Sequence, residues 1–142
     1  MIGLALLIIE INQNSNLVRA QIHQARSDAY VEHTFSLADS EFMAPAYNKF
    51  MLAGGPADVS ALDALDPIEL ARVRWFVLAR MGDYDNLFYQ YRNGYLDEEF
   101  YQSRVAPSSK RLGLLWKEFG LLKSATPSFA AEVDRLLAAD QD

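Results

Sequence analysis

The sequence contains no cysteine, which excludes disulfide bonds, thiol nucleophiles and cysteine metal ligands and fits a reducing compartment. No Asn-x-Ser/Thr sequence is present to indicate secretion. Only two histidines occur, His23 and His33, and neither follows a glutamate at the spacing used by helical di-metal sites. The zinc-protease, phosphate-binding, dinucleotide-binding and Gly-x-Ser-x-Gly motifs are also missing. The sequence therefore assigns no catalytic residue, no metal ligand and no cofactor, and a non-enzymatic role is favoured.

Positive charge is scarce in this chain. The sequence has 13 basic and 19 acidic residues, which gives a net charge of -6. Proteins that bind nucleic acid normally present a basic surface to the phosphate backbone. No run of basic residues here exceeds a pair such as Lys110-Arg111. We therefore expect no nucleic acid partner.

Apolar residues are abundant, and their spacing is that of helices. Hydrophobic residues make up 51 % of the 142 residues and aromatic residues 12 %, so a packed core is expected rather than disorder. Short β-branched runs with period two, typical of strands, are absent. The sequence predicts an all-α fold, with a long N-terminal helix over residues 1–38 and a compact helical domain over residues 39–142. The second part is expected to hold about four to five further helices.

The N-terminal segment is the most apolar part of the chain. Residues 1–9 are all apolar apart from Gly3, and they are followed by Glu10. At about 1.5 Å per residue this run reaches only about half the depth of a bilayer core. It also lacks the basic start and cleavage site of a signal peptide. Three interpretations remain: a truncated transmembrane helix, an interfacial anchor, or the start of an ordinary packed helix.

Apolar residues continue beyond this run on one helical stripe. The helical period predicts a single helix from about residue 2 to about residue 37. Its first half is expected to project toward a membrane or a partner chain. The residues predicted to make that contact are Leu4, Leu7, Ile8, Ile11 and Val18.

The clearest helix start in the sequence is Asp66-Pro67-Ile68-Glu69. Asp66 suits the N-cap, Pro67 the first helical position and Glu69 the reciprocal capping position. This helix is predicted to run to about Asn93, with Gly94 ending it. Other helices are predicted at about residues 42–53, 98–105, 107–119 and 127–137, with a short helical turn at 58–65.

The helix that begins at Pro67 has two apolar faces in a helical projection. One face includes Val73 and Val77, and the other includes Ile68 and Trp75. A helix that is apolar on two sides is expected to be packed on two sides, so the sequence places it at the centre of the domain.

Arg74 and Asp85 fall between these two faces. Each would need a partner from another helix, because an unpaired buried charge is costly. Two interpretations stay open: both side chains extend to solvent or join structural salt bridges, or they line a ligand-binding polar pocket in the bundle.

Tyrosine is concentrated between Tyr84 and Tyr101. One helix cannot bury side chains on all sides, so some of these rings must face solvent or a partner. Tyr89 and Tyr95 are candidates for a partner-binding surface, since tyrosine is favoured at interfaces. A plain core-and-rim arrangement is the alternative.

Two stretches resemble a known group of proteins. They are Gln21-Ile22-His23-Gln24-Ala25-Arg26-Ser27-Asp28 after an apolar start, and the run Asn86-Leu87-Phe88-Tyr89-Gln90-Tyr91-Arg92-Asn93-Gly94-Tyr95-Leu96-Asp97-Glu98-Glu99. Together they resemble small uncharacterised bacterial proteins with one N-terminal transmembrane helix and a cytoplasmic helical domain. The resemblance implies a bacterial, membrane-associated helical protein and carries no activity or site residue. This sequence departs from that group because its apolar start is too short to span a bilayer.

Three functional hypotheses follow. The favoured one is a helical domain held at the cytoplasmic face of a membrane by its first helix, acting through protein contacts; Arg19 and Arg26, which follow the apolar run, suit that side. The second is a soluble homo-oligomer, most simply a two-fold dimer, formed through the same stripe. The third is an enzyme or small-ligand binder with a pocket near Arg74 and Asp85.

Overall fold

A computed structural model describes residues 2–139 and contains only helices and turns over that range. The first helix, α1, spans Ile2–Ala38. It is followed by α2 (Met43–Leu52), α3 (Pro67–Arg92), α4 (Glu98–Phe100), α5 (Ala106–Glu118) and α6 (Pro127–Ala138). Short 3-10 segments cover Gly55–Ala57, Val59–Ala64 and Leu121–Ser124. The predicted all-α fold, with a long first helix and a bundle of several more, is confirmed.

The chain divides into two units, Met1–Ser40 and Glu41–Asp142. The first unit consists of α1, a helix of 37 residues that is about 55 Å long at the usual rise. The second unit, which we call the bundle, contains all the remaining helices.

Local capping chemistry sets the start of α3. The Asp66 carboxylate accepts hydrogen bonds from the amides of Ile68 and Glu69, both at 2.8 Å. Glu69 reaches back and accepts the Asp66 amide at 2.9 Å, which completes a capping box. The helix ends before Gly94, whose φ of +73° lies in the left-handed region that favours glycine. Both ends agree with the sequence prediction.

The core of the bundle lies on one side of α3. Five α3 residues are buried there and pack against α2, α5 and α6: Val73, Val77, Met81, Tyr84 and Phe88. Trp116 of α5 is fully buried and donates its indole N–H to the carbonyl oxygen of Val77 at 2.9 Å. A buried indole with its one donor satisfied contributes both packing and orientation.

The second apolar face of α3 is not packed as the sequence predicted. Ile68 is 63 % exposed and Trp75 is 67 % exposed. The buried α3 residues occupy a narrow arc, so the neighbouring helices of the bundle cover only one side. The prediction of a helix buried on both faces was therefore wrong.

Helices α4 and α5 are joined by a π-helical turn at Tyr101–Val105. The sequence predicted two separate helices here, at about residues 98–105 and 107–119. The backbone instead stays helical through this region, with Pro107 in the first turn of α5. Proline lacks an amide hydrogen and its ring crowds the carbonyl four residues earlier, so a widened π turn accommodates it.

Helices α5 and α6 approach closely at Gly113. A Cβ atom at this position would lie 2.8 Å from Cγ1 of Val133, which is closer than van der Waals contact allows. The glycine thus allows α6 to place Phe129 and Val133 against the core.

Candidate interaction surfaces

The first turns of α1 present apolar side chains in every direction. Leu4, Leu6, Leu7, Ile8 and Ile9 are each between 51 % and 66 % exposed. At 100° per residue these consecutive positions surround the helix axis completely. We call residues 4–9 the apolar tip of α1.

The predicted contact stripe of α1 is also exposed. Ile11 is 56 % exposed and Val18 is 43 % exposed. Glu10 is the only charged residue between the apolar tip and Val18. Asn14 and Ser15 interrupt the stripe before Val18, so the stripe is continuously apolar only as far as Ile11. An exposed apolar surface of this kind commonly has a binding role.

A second exposed surface follows the outward side of α3. It contains Ile68 and Trp75 together with small or uncharged residues, and we call it the α3 outward face: Ile68, Ala71, Trp75, Ala79, Gly82, Asn86 and Tyr89. These positions fall within one arc of the helix and include no charge. Tyr89 is 60 % exposed, and Tyr95, just beyond the helix, is 50 % exposed.

Arg74 and Asp85 lie on α3 about 16 Å apart along its axis. Arg74 is exposed and makes no ion pair with any residue that the structure describes. Asp85 accepts two hydrogen bonds from Thr126, one from its amide at 2.8 Å and one from its hydroxyl at 2.6 Å. Asp85 therefore has a hydrogen-bond partner at the start of α6. The ligand-binding pocket near Arg74 and Asp85 stays a prediction.

A polar network joins the π turn to α6. The Tyr101 hydroxyl donates to Glu132 at 2.6 Å, and Arg135 binds the same carboxylate through two nitrogens, both at 2.7 Å. Hydrogen bonds from Arg135 and Tyr101 lower the pKa of Glu132, although partial burial opposes them. Burial and the bond to Glu132 raise the pKa of Tyr101 well above its ordinary value. Because these groups satisfy one another, the network ties α6 to the π turn.

The exposed side of α5 holds a basic groove that the sequence analysis missed. Three cations line it, Lys110, Arg111 and Lys117, and its remaining walls are apolar: Ala57, Pro107, Leu114 and Leu137. The groove has a volume of about 560 Å³. A sequence signal existed, since residues 104–123 contain five basic residues and one acidic residue.

Within residues 2–139 no cluster of three or more histidine or acidic side chains is arranged to hold a metal ion. None of the helices in that range is long and apolar enough to cross a membrane. No model of a known protein family matches the chain, and no curated protein or solved structure matches it either.

Proposed function

We propose that this is a membrane-associated helical protein, in which α1 anchors the chain at the cytoplasmic face of a lipid bilayer and the bundle acts through protein contacts. The observation that carries the proposal is the apolar tip of α1, where residues 4–9 expose apolar side chains on all sides of the helix.

Lipid suits the apolar tip better than a single protein partner does. A helix that packs against one other helix needs an apolar seam on one side only. Leu6 and Ile9 lie on the opposite side from Leu4 and Ile8 and would remain in water in such a pair. Hydrocarbon covers all sides of an inserted helix end, so every exposed residue of the tip would be removed from water.

The length of the apolar segment sets the depth of insertion. Residues 2–9, which precede Glu10, extend about 12 Å, somewhat less than half of a bilayer's hydrocarbon core. The segment would therefore enter one leaflet. Arg19 and Arg26 support the cytoplasmic side, since basic residues that follow an apolar segment favour that face.

The resemblance of residues 21–28 and 86–99 to small bacterial membrane proteins supports the same proposal. For the bundle, we propose the α3 outward face as the surface that contacts a protein. Tryptophan and tyrosine contribute strongly to protein interfaces, and Trp75 and Tyr89 are both largely exposed here.

The anchoring test is flotation of the full chain with vesicles of neutral phosphatidylcholine. We expect the unmodified protein to float with the vesicles and the Leu7→Asn/Ile8→Asn variant to remain in the aqueous fraction. Leu52→Asn is the matched control, because Leu52 is 81 % exposed in the bundle and the same change there should leave flotation intact. An unmodified protein that stays aqueous at excess lipid would overturn the proposal.

Self-association is a second candidate function, favoured by the exposed stripe of Leu4, Leu7, Ile11 and Val18 on α1. A two-fold dimer would bury this stripe against its copy. Light scattering at micromolar concentration should then give twice the monomer mass. A monomer mass, or a dimer that persists in Leu7→Asn/Ile11→Asn, would exclude this use of the stripe.

A further inference from the structure

The charge of this acidic chain is unevenly distributed. Residues 104–123 contain five basic residues and only one acidic residue, Glu118. The rest of the chain contains eight basic and eighteen acidic residues. The segment that carries α5 therefore forms a positively charged region on a protein of net charge -6.

The fold brings part of this charge together with apolar side chains. Lys110 and Lys117 lie about two turns apart on one side of α5, and Arg111 lies about 100° around the helix from Lys110, so the three cations border an arc of about 120°. Leu114 lies between them and is 39 % exposed. Ala57 and Leu137 come from distant parts of the chain to complete the basic groove.

Two cations of the groove, Arg111 and Lys117, are available for an anion. Arg111 is exposed and forms no ion pair with any residue between 2 and 139. Lys117 lies 2.7 Å from the Asp134 carboxylate, but both side chains are more than half exposed. Exposed ion pairs of this kind are weak, so another anion can replace Asp134 at little cost.

We propose that the basic groove binds the phosphate headgroups of anionic lipids, giving the bundle its own contact with the membrane. This inference rests on the proposed membrane association and names the lipid class involved. A phosphate group suits Arg111, whose guanidinium can bind two oxygens, with Lys117 as a second positive charge. The apolar walls at Leu114 and Leu137 suit the acyl and glycerol carbons next to the headgroup.

The overall charge favours lipid over nucleic acid as the source of phosphate. A nucleic acid duplex presents many phosphates and would be repelled by the acidic remainder of the chain. A lipid surface needs only a local basic patch at the point of contact, and each basic residue near an anionic surface strengthens binding about five-fold.

The test measures partition of the full chain onto vesicles of phosphatidylcholine alone and onto vesicles with one third phosphatidylglycerol. The groove variant is Arg111→Gln/Lys117→Gln, and the charge-matched control is Arg74→Gln/Arg92→Gln on α3. We expect the groove variant to lose about 25-fold in affinity for the anionic vesicles. The control should lose at most a few-fold, and raising the salt concentration should reduce the preference for anionic vesicles.

The outcomes separate this inference from the anchoring proposal. Binding of both double variants to neutral vesicles should equal that of the unmodified chain, because the apolar tip of α1 supplies it. If nothing binds neutral vesicles, anchoring fails independently of the groove. If the groove and control variants weaken equally on anionic vesicles, the groove assignment is wrong. Displacement by inorganic phosphate, against chloride at equal ionic strength, would identify a free-phosphate site and overturn the lipid assignment.

Discussion

Among single residues, Gly82 and Gly113 both lie in helices but have opposite surroundings. The effects of the same substitution at the two positions can therefore be compared directly. Gly113 lies against Val133 with no room for a methyl group, whereas a Cβ at Gly82 would meet no atom within 4 Å. Gly113→Ala should lower the free energy of unfolding by about 1–3 kcal/mol through overpacking. Gly82→Ala should raise it by up to about 1 kcal/mol, because alanine favours helix. Urea unfolding followed by circular dichroism measures both, and changes of the same sign would contradict the packing described for α5 and α6.

The carboxylate of Glu132 gives a prediction for acid stability. Its hydrogen bonds with Arg135 and Tyr101 lower its pKa in the folded state. The folded chain therefore holds the proton less tightly than the unfolded chain, and this contribution to stability is lost as the pH falls below about 4.5. We expect Glu132→Gln to be less stable at neutral pH and to lose less stability on acidification.

Glu99→Gln is the control for that measurement, because Glu99 is an exposed carboxylate on the short helix α4. Urea unfolding at a series of pH values should give Glu99→Gln the same acid profile as the unmodified chain. An unchanged profile for Glu132→Gln would show that the network at the π turn contributes nothing to acid stability.

At the scale of elements, the bond between Asp85 and Thr126 links the C-terminal half of α3 to the start of α6. Asp85→Asn removes one acceptor and the charge from this link, so we expect a loss of about 1–2 kcal/mol. Asp83→Asn, the same change two residues away, alters only a surface pair with Arg80 and should cost less. Arg74→Met should change stability by about 0.5 kcal/mol or less.

Thermal unfolding with candidate small molecules completes this test. A ligand that raises the melting temperature of the unmodified chain, but not of Arg74→Met or Asp85→Asn, would support the pocket hypothesis. If Asp85 has only a structural role, Asp85→Asn should change the stability of the chain, and no ligand should raise the melting temperature of the unmodified chain.

Local chemistry determined which elements the sequence could predict. The start of α3 depends on Asp66, Pro67 and Glu69, which are close together in the chain. The capping box could therefore be predicted from the sequence alone. Helical periodicity shows which residues can be buried but not how many neighbours the helix has. For that reason the exposure of Ile68 and Trp75 could not be predicted from their spacing.

Most features of the candidate surfaces could not be predicted from the sequence, because they depend on residues that are distant in the chain. Thr126 is 41 residues from Asp85, so no local pattern shows that it satisfies this carboxylate. The basic groove combines a sequence-local pair, Lys110 and Arg111, with Ala57 and Leu137 from distant segments. The apolar tip of α1 was predictable because its six residues, 4–9, are consecutive in the sequence and all apolar. Its binding partner is not encoded in that run, and lipid therefore remains the proposal to be tested.

At the scale of the molecule, the bundle contains its own core. Among the described residues, every buried side chain lies between Ala46 and Leu136. We therefore expect a fragment of residues 41–142 to unfold cooperatively in urea, with a denaturant dependence set by its own buried surface. A fragment without a cooperative transition would show that the bundle needs α1 to fold.

The two tryptophans of the chain differ completely in their surroundings. Trp116 is 0 % exposed, with its indole N–H bonded to Val77, whereas Trp75 is 67 % exposed on the α3 outward face. The emission spectra of the two tryptophans should therefore differ. Trp116 should emit at a shorter wavelength than Trp75 and should be protected from a quencher dissolved in the water. The native chain thus contains two optical reporters without any label. Trp116 follows unfolding of the core, and Trp75 follows occupation of the α3 outward face.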